Sequence, residues 1–428
     1  MNKLPLISLV LVACLLVISQ SGCGQGSATD PRVTTTTTVV TTTTVVTTTG
    51  APTTTVTTTT TTTTTTVLAI IAGKIKFAGT NDGIRGGVEI VYTGAVNGVV
   101  TADAATGTYE ITGLSAGSYN LSARRPDWLT SSESFSLGDT AAHLALYPMS
   151  WEVIKTGTET FNSIVSSDAT GKMYLCGTDA GGQGIVYICN DPTNLASWSN
   201  YPYGGCPTPE AGINLLSVSL ENRGSTPFGI AFSDAKSGVW VTGTFESDAF
   251  AFASAPITNP LIQNIAGATA LRNIAFTDGQ FVIPDDGKLY YTTDFGNSFS
   301  ALSGEVDTYW RGLFAFNGGN PDVLIAGTGG RVRYYTAGAW TTSAFQIGDG
   351  TETLGAAVIV TGVGGGDAAL GSENGSIYYC NGSLDVPTDW HRVLSGIPYP
   401  IRAFYAQDDS GGAGALAIGG GGLIMRRR

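Results

Sequence analysis

The sequence predicts an all-β protein, a small β-sandwich followed by a β-propeller of six blades, with seven as the alternative count, all preceded by a disordered Thr-rich stalk. Three observations predict it. No 3.6-residue apolar periodicity is sustained beyond the first twenty residues. The 58 glycines, with abundant Thr, Ser and Tyr, favour short strands and tight turns. The carboxy-terminal two thirds repeats a strand–turn–strand unit at intervals of about 40 to 50 residues, the size of a propeller blade.

The chain opens with Met1-Asn2-Lys3 and an apolar run from Leu4 to Ile18, the layout of a secretory signal and short for a membrane span. Ser21-Gly22-Cys23 then resembles a bacterial lipobox, which implies a signal peptide over 1–22, acylation of Cys23 and a lipid anchor in the outer membrane, with the folded part facing the cell surface. Gln20 departs from the usual Leu of that motif, and Leu11-Val12-Ala13-Cys14 is the competing match. Cleavage and secretion without a lipid is the other reading.

Residues 23–67 are read as a linker. From Thr34 to Thr66, 25 of 33 residues are Thr, a composition with no alternating face and little to bury. Fully extended, such a stretch reaches on the order of 100 Å, enough to hold a folded head off an envelope.

Over 68–150 short runs with apolar residues at alternate positions are separated by turns, as in Gly87-Val88-Glu89-Ile90-Val91-Tyr92. The runs Gly107-Thr108-Tyr109, Leu114 and Ala116-Gly117-Ser118-Tyr119 resemble the carboxypeptidase regulatory-like (prealbumin-like) domain, which implies two sheets packed face to face. Tyr109 and Tyr119 are then core aromatics, not ligand contacts.

In 151–428 the units run Met173–Gly177 to Trp198, Gly238–Gly243 to Phe252, Gln280–Ile283 to Tyr291, Val323–Gly327 to Trp340, Ala368–Gly371 to Trp390, and Ala415–Gly419 to Met425. The last lacks a fourth strand, and Trp151–Gly157 reads as an orphan strand that would complete it and close the ring. Thr292-Thr293-Asp294-Phe295-Gly296-Asn297-Ser298-Phe299 resembles the Asp-box of sialidase-like propellers. That resemblance gives Thr292, Asp294, Gly296 and Phe299 structural roles in a hairpin, so Asp294 is not read as a catalytic acid. The repeats as a whole are similar to the photosystem II assembly factor group of BNR-like propellers.

No catalytic residue, metal site or cofactor is expected: His143 and His391 are too few and too far apart for a histidine metal site. The net charge of −12 argues against nucleic acid as a partner. The candidate site is an arginine set. Arg272, Arg311 and Arg402 occupy one register at the start of three innermost strands, in Leu271-Arg272-Asn273, Trp310-Arg311-Gly312 and Ile401-Arg402-Ala403. Innermost strands surround a propeller's channel, so these guanidinium groups would converge on an anion site for an acidic peptide or sugar, hence a protein or carbohydrate partner. The alternative pairs each with a carboxylate of a neighbouring blade. A sialidase-like hydrolase is the rival class, but no Phe-Arg-Ile-Pro element and no convincing Tyr–Glu pair are found; a purely structural spacer is the third. Of the later cysteines, Cys176 and Cys189 flank one hairpin and are the candidate disulfide among the pairings of Cys176, Cys189, Cys206 and Cys380.

Overall fold

The computed structural model describes residues 33–44, 56–67 and 70–428, less 167–171, 191–193, 195–196, 201–213, 224–225, 235–237, 245–270, 277–279, 285–287, 293–297, 303–309, 318–320, 337, 342, 360–367 and 406–414. The signal peptide, Cys14, Cys23, Cys206, Asp294 and Gly296 lie outside the described residues. Within the Thr tract, Val33–Thr44 and Val56–Val67 pair antiparallel in a sheet of their own. β-Branched threonine suits extended backbone. A two-stranded ribbon is marginal by itself because it has no second sheet to cover a face.

The sandwich follows from the alternation in its sequence. One sheet runs Thr108–Ile111, Ile71–Phe77, Leu144–Pro148, Trp128–Leu129; the other runs Gly98–Thr101, Glu89–Thr93, Ser118–Arg124, Ser131–Ser136. Along Ser118–Arg124 the side chains of Tyr119, Leu121 and Ala123 point inward and the polar ones outward. Ile71, Ile75, Phe77, Ile90, Tyr119 and Leu121 are wholly buried, each contributing about 1.5–3 kcal/mol of apolar burial. Tyr109 and Tyr119 are core residues as expected. Each satisfies its hydroxyl on backbone, Tyr109 on the Ala142 carbonyl and Tyr119 on that of Ser115 at 2.9 Å.

Six antiparallel sheets make up the rest of the described chain. Blade 1 is Thr160–Ser166, Met173–Thr178, Gly184–Cys189 and Trp198–Asn200; blade 2 is Leu215–Arg223, Thr226–Asp234 and Gly238–Thr244. Blade 3 is Leu271–Phe276, Gln280–Pro284, Tyr290–Thr292 and Ser300–Ala301; blade 4 is Trp310–Asn317, Pro321–Gly327, Arg331–Thr336 and Ala339–Trp340. Blade 5 is Leu354–Ile359, Ala368–Ser372, Ile377–Cys380 and Trp390–Leu394; blade 6 is Ile401–Tyr405, Leu416–Gly419, Ile424–Arg427 and Trp151–Lys155. The innermost strands neighbour one another in sequence order, and the sixth neighbours the first, so the ring is closed. Closure is made by Trp151–Lys155 lying antiparallel to Ile424–Arg427, with Trp151 opposite Arg427 and Val153 opposite Met425. The orphan strand thus completes the last blade, removing two edges at once.

Two expectations are corrected. The unit read from Gly238–Gly243 to Phe252 starts two strands earlier: Leu215–Arg223 and Thr226–Asp234 precede Gly238–Thr244 in the same sheet, which is therefore third in blade 2. The candidate disulfide is absent: no disulfide joins Cys176, Cys189 and Cys380, all of them buried. In the blade 1 hairpin Cys176 faces Val186 and Cys189 faces Met173. Three positions separate Cys176 from Met173, about 10 Å along a strand. An odd offset also places the two thiols on opposite faces of the sheet, beyond disulfide reach.

Candidate functional site

The innermost strands share one irregularity. In all six the ladder skips a single residue near the start: Asn162 between Phe161 and Ser163, Leu216 between Leu215 and Ser217, and Arg272 between Leu271 and Asn273. The others are Arg311 between Trp310 and Gly312, Gly355 between Leu354 and Ala356, and Arg402 between Ile401 and Ala403. A bulged residue leaves the ladder and its side chain is re-aimed. Here all six line one cavity of about 390 Å³, together with Thr160, Thr178, Asp179, Asn214, Asn273 and Glu373. The residue before each bulge (Phe161, Leu215, Leu271, Trp310, Leu354, Ile401) is large and apolar, and Phe161, Leu215, Trp310, Leu354 and Ile401 are buried and anchor their strands in the core.

The ring of bulged residues is lopsided. Blades 3, 4 and 6 supply guanidinium groups, blade 5 supplies Gly355, and blades 1 and 2 supply Asn162 and Leu216. The three predicted arginines are therefore brought together. Arg402 donates from Nη1 to Glu373 Oε1 at 2.8 Å, a carboxylate of neighbouring blade 5, so the pairing alternative holds for this arginine. Gly355 makes room for that pair: a Cβ there would lie 2.9 Å from Glu373 Oε1. Asn273 Nδ2 donates to the Arg311 carbonyl at 2.6 Å and fixes the backbone at the blade 4 bulge. The Nε groups of Arg311 and Arg402 are buried and have no hydrogen-bond partner among the described residues, a cost that an incoming acceptor would relieve.

The opposite wall is an amide network. Asn162 Nδ2 donates to Asn214 Oδ1 and to the Leu215 carbonyl, both at 2.8 Å, and Thr178 donates its hydroxyl to Asn214 Oδ1. Asp179, the second carboxylate of the lining, is engaged by the backbone amides of Gly181 and Gln183 in its own hairpin. Three guanidinium groups thus face two already occupied carboxylates, a locally cationic hollow in a chain of net charge −12.

Thr292 of the Asp-box is buried and Phe299 half-buried. A Tyr–Glu pair that the sequence did not reveal is present: Tyr187 donates to Glu159 Oε1 at 2.6 Å, and Lys155 Nζ reaches the same oxygen at 3.1 Å. Tyr187 sits on the third strand of blade 1, and neither partner lines the cavity. Burial, with the bond to Glu159, pushes the phenol well above its ordinary range, so it stays protonated. Asn162, Leu216 and Gly355 each follow a large apolar residue as the arginines do, but only the register against the second strand makes them bulges.

No protein-family model matches the chain, and no curated protein matches it. Among solved structures it is similar to YCF48 bound to D1 peptide, at 12% identity and a TM-score of 0.42 over 65% of this chain and 96% of that one. It is also similar to YCF48 from Cyanidioschyzon merolae, at 14% and 0.38 over 65% and 88%. A third likeness is to BBS1N in complex with ARL6DN, at 14% and 0.37 over 72% and 87%. Among the described residues, strand pairing and ring closure make a six-bladed β-propeller with a β-sandwich before it.

Proposed function

We propose that this protein is a non-enzymatic receptor of the cell envelope whose propeller captures an acidic segment of a protein partner at the arginine-lined mouth of its channel. One observation carries the reading: six inner-strand bulges aim one residue each into the same cavity, and three of those residues are Arg272, Arg311 and Arg402. Guanidinium groups bind carboxylates in fixed, often bidentate geometry, and the Asn162–Asn214–Thr178 wall offers amide and hydroxyl groups to a peptide backbone. The remainder of the proposal follows the sequence: residues 1–22 are removed, Cys23 is acylated, and residues 23–67 separate the head from the outer membrane. The sandwich over 68–150 is taken as a carboxypeptidase regulatory-like module.

The test uses the full-length protein in detergent. Titration with a hexaglutamate peptide at low salt is expected to give saturable binding that weakens as salt rises. Replacing Arg272, Arg311 and Arg402 together by Met should weaken it by about tenfold or more, one to two charge-assisted bonds' worth. Equal binding by the triple variant overturns the site. A response to neutral or acidic oligosaccharides in place of the peptide would move the ligand to carbohydrate, and turnover of fluorogenic glycosides would make the protein a hydrolase. Cys23→Ser should shift the protein from the membrane to the soluble fraction.

A further inference from the structure

The sandwich grips one short segment of the propeller, and that segment adjoins both elements that supply an ion pair in the cavity. Residues 395–400 join the last strand of blade 5 to the inner strand of blade 6. From the sandwich, Trp128 Nε1 donates to the Ser395 carbonyl at 3.2 Å, Arg125 Nη2 to Ser395 Oγ at 3.0 Å, and the Arg85 amide to the Gly396 carbonyl at 2.9 Å. Arg125 is itself held by the Arg85 carbonyl, and Tyr399 donates to the Asp82 carboxylate. The Tyr399 ring meets Phe77 edge to face at 5.8 Å, and Phe77 meets Trp128 likewise at 5.9 Å. Gly396 is required where it stands: its φ is +87°, and a Cβ would run into the Arg125 guanidinium and the Arg85 carbonyl.

Two routes lead from this strap to the cavity. The Ile397 amide donates to the Gly375 carbonyl at 3.2 Å, inside the turn of Ser372 to Ser376 that presents Glu373. In the other direction Pro400 continues directly into Ile401 and Arg402, with the Pro400 carbonyl accepting from Gly420 at 3.1 Å. Glu373 and Arg402 then meet at 2.8 Å.

We propose that the β-sandwich is a positioning element for the channel mouth: its grip on residues 395–399 holds Glu373 against Arg402 and so decides whether that guanidinium is offered to a ligand. The functional weight of this rests on reading the cavity as an anion site; the mechanical link does not. Arg125, Trp128 and Tyr399 are positioning residues, acting through the strap.

The test needs no ligand. Full-length protein is treated with phenylglyoxal and the modification rate of each arginine is read by peptide mass spectrometry, with Arg426, paired to Glu152 at 2.6 Å in blade 6, as internal reference. Arg125→Met, Trp128→Phe and Glu373→Gln are each expected to speed modification of Arg402 by about twofold or more, the lower range for coupled neighbours, with Arg426 unchanged. Arg125→Lys, which keeps a donor, should fall between wild type and Arg125→Met. The double variant Arg125→Met/Glu373→Gln should be no faster than the faster single variant, because both act on one pair. A merely structural role would speed Arg402 and Arg426 together. If Arg125→Met does not fold, Trp128→Phe, which keeps an aromatic ring and removes the donor to Ser395, decides alone. Unchanged Arg402 rates in the sandwich variants, or multiplying effects in the double variant, overturn the proposal. Either result leaves the hexaglutamate titration to stand or fall separately.

Discussion

Replacing Trp151 by alanine tests ring closure. Trp151 is 4% exposed and begins the strand that finishes blade 6. A tryptophan buries up to about 250 Å², which at about 25 cal/mol per Å² sets an upper bound of about 6 kcal/mol; measured large-to-small changes of this kind cost about 3–5 kcal/mol. A cavity of about 90 Å³ bounded by Trp151, Tyr379, Val393 and Phe404 already deprives the ring of some neighbours. The expectation is therefore the lower end, about 3 kcal/mol. The same strand supplies its own control. Glu152 and Arg426 pair at 2.6 Å, but their side chains are 38% and 40% exposed, so Glu152→Gln should change stability by no more than about 1 kcal/mol. Urea unfolding of the full-length protein, followed by circular dichroism, measures both. If Trp151→Ala costs as little as Glu152→Gln, residues 151–155 do not close the ring and the propeller argument fails with it.

Three further outcomes follow. Burial pushes the Glu159 carboxyl up, but its bonds from Tyr187, its own backbone and Lys155 outweigh that and hold it below the usual carboxylate range. Its contribution is thus present above the unfolded carboxylate pKa and lost as pH falls through the lower folded value. The stability gap between wild type and Glu159→Gln should be widest above pH 5 and narrow on acidification; a gap that grows toward low pH would contradict this sign. Cys176, Cys189 and Cys380 should resist iodoacetamide in the native protein and all label on denaturation without reductant, as judged by intact and peptide mass, whereas a need for reductant would restore a disulfide. Gly375→Ala, at φ +77° with its new Cβ pressed against the Ile397 carbonyl, should cost about 1–3 kcal/mol of backbone strain in urea unfolding and raise Arg402 labelling; a neutral change would mean the Glu373 turn is not tied to the strap.

Alternation and turn residues are local properties, and the sequence alone determined what depends on them: the all-β class, the sandwich core around Tyr109 and Tyr119, the middle strands of most blades, and the orphan strand at Trp151. The arginine register was legible for the same reason, since Leu271-Arg272, Trp310-Arg311 and Ile401-Arg402 repeat one pattern at one place in the unit. Pairing decided the rest. A bulge exists only relative to the partner strand, so nothing in Phe161-Asn162-Ser163 announced that Asn162 would join the same ring. The Cys176–Cys189 expectation failed because one hairpin register, invisible in the spacing, sets the faces. Only the tertiary structure could bring Arg125 and Trp128 to Ser395, or Tyr187 to Glu159. Those contacts join positions separated by as many as 270 residues, and side-chain chemistry at such separations becomes adjacent only once a closed ring and a docked sandwich fix where each loop ends.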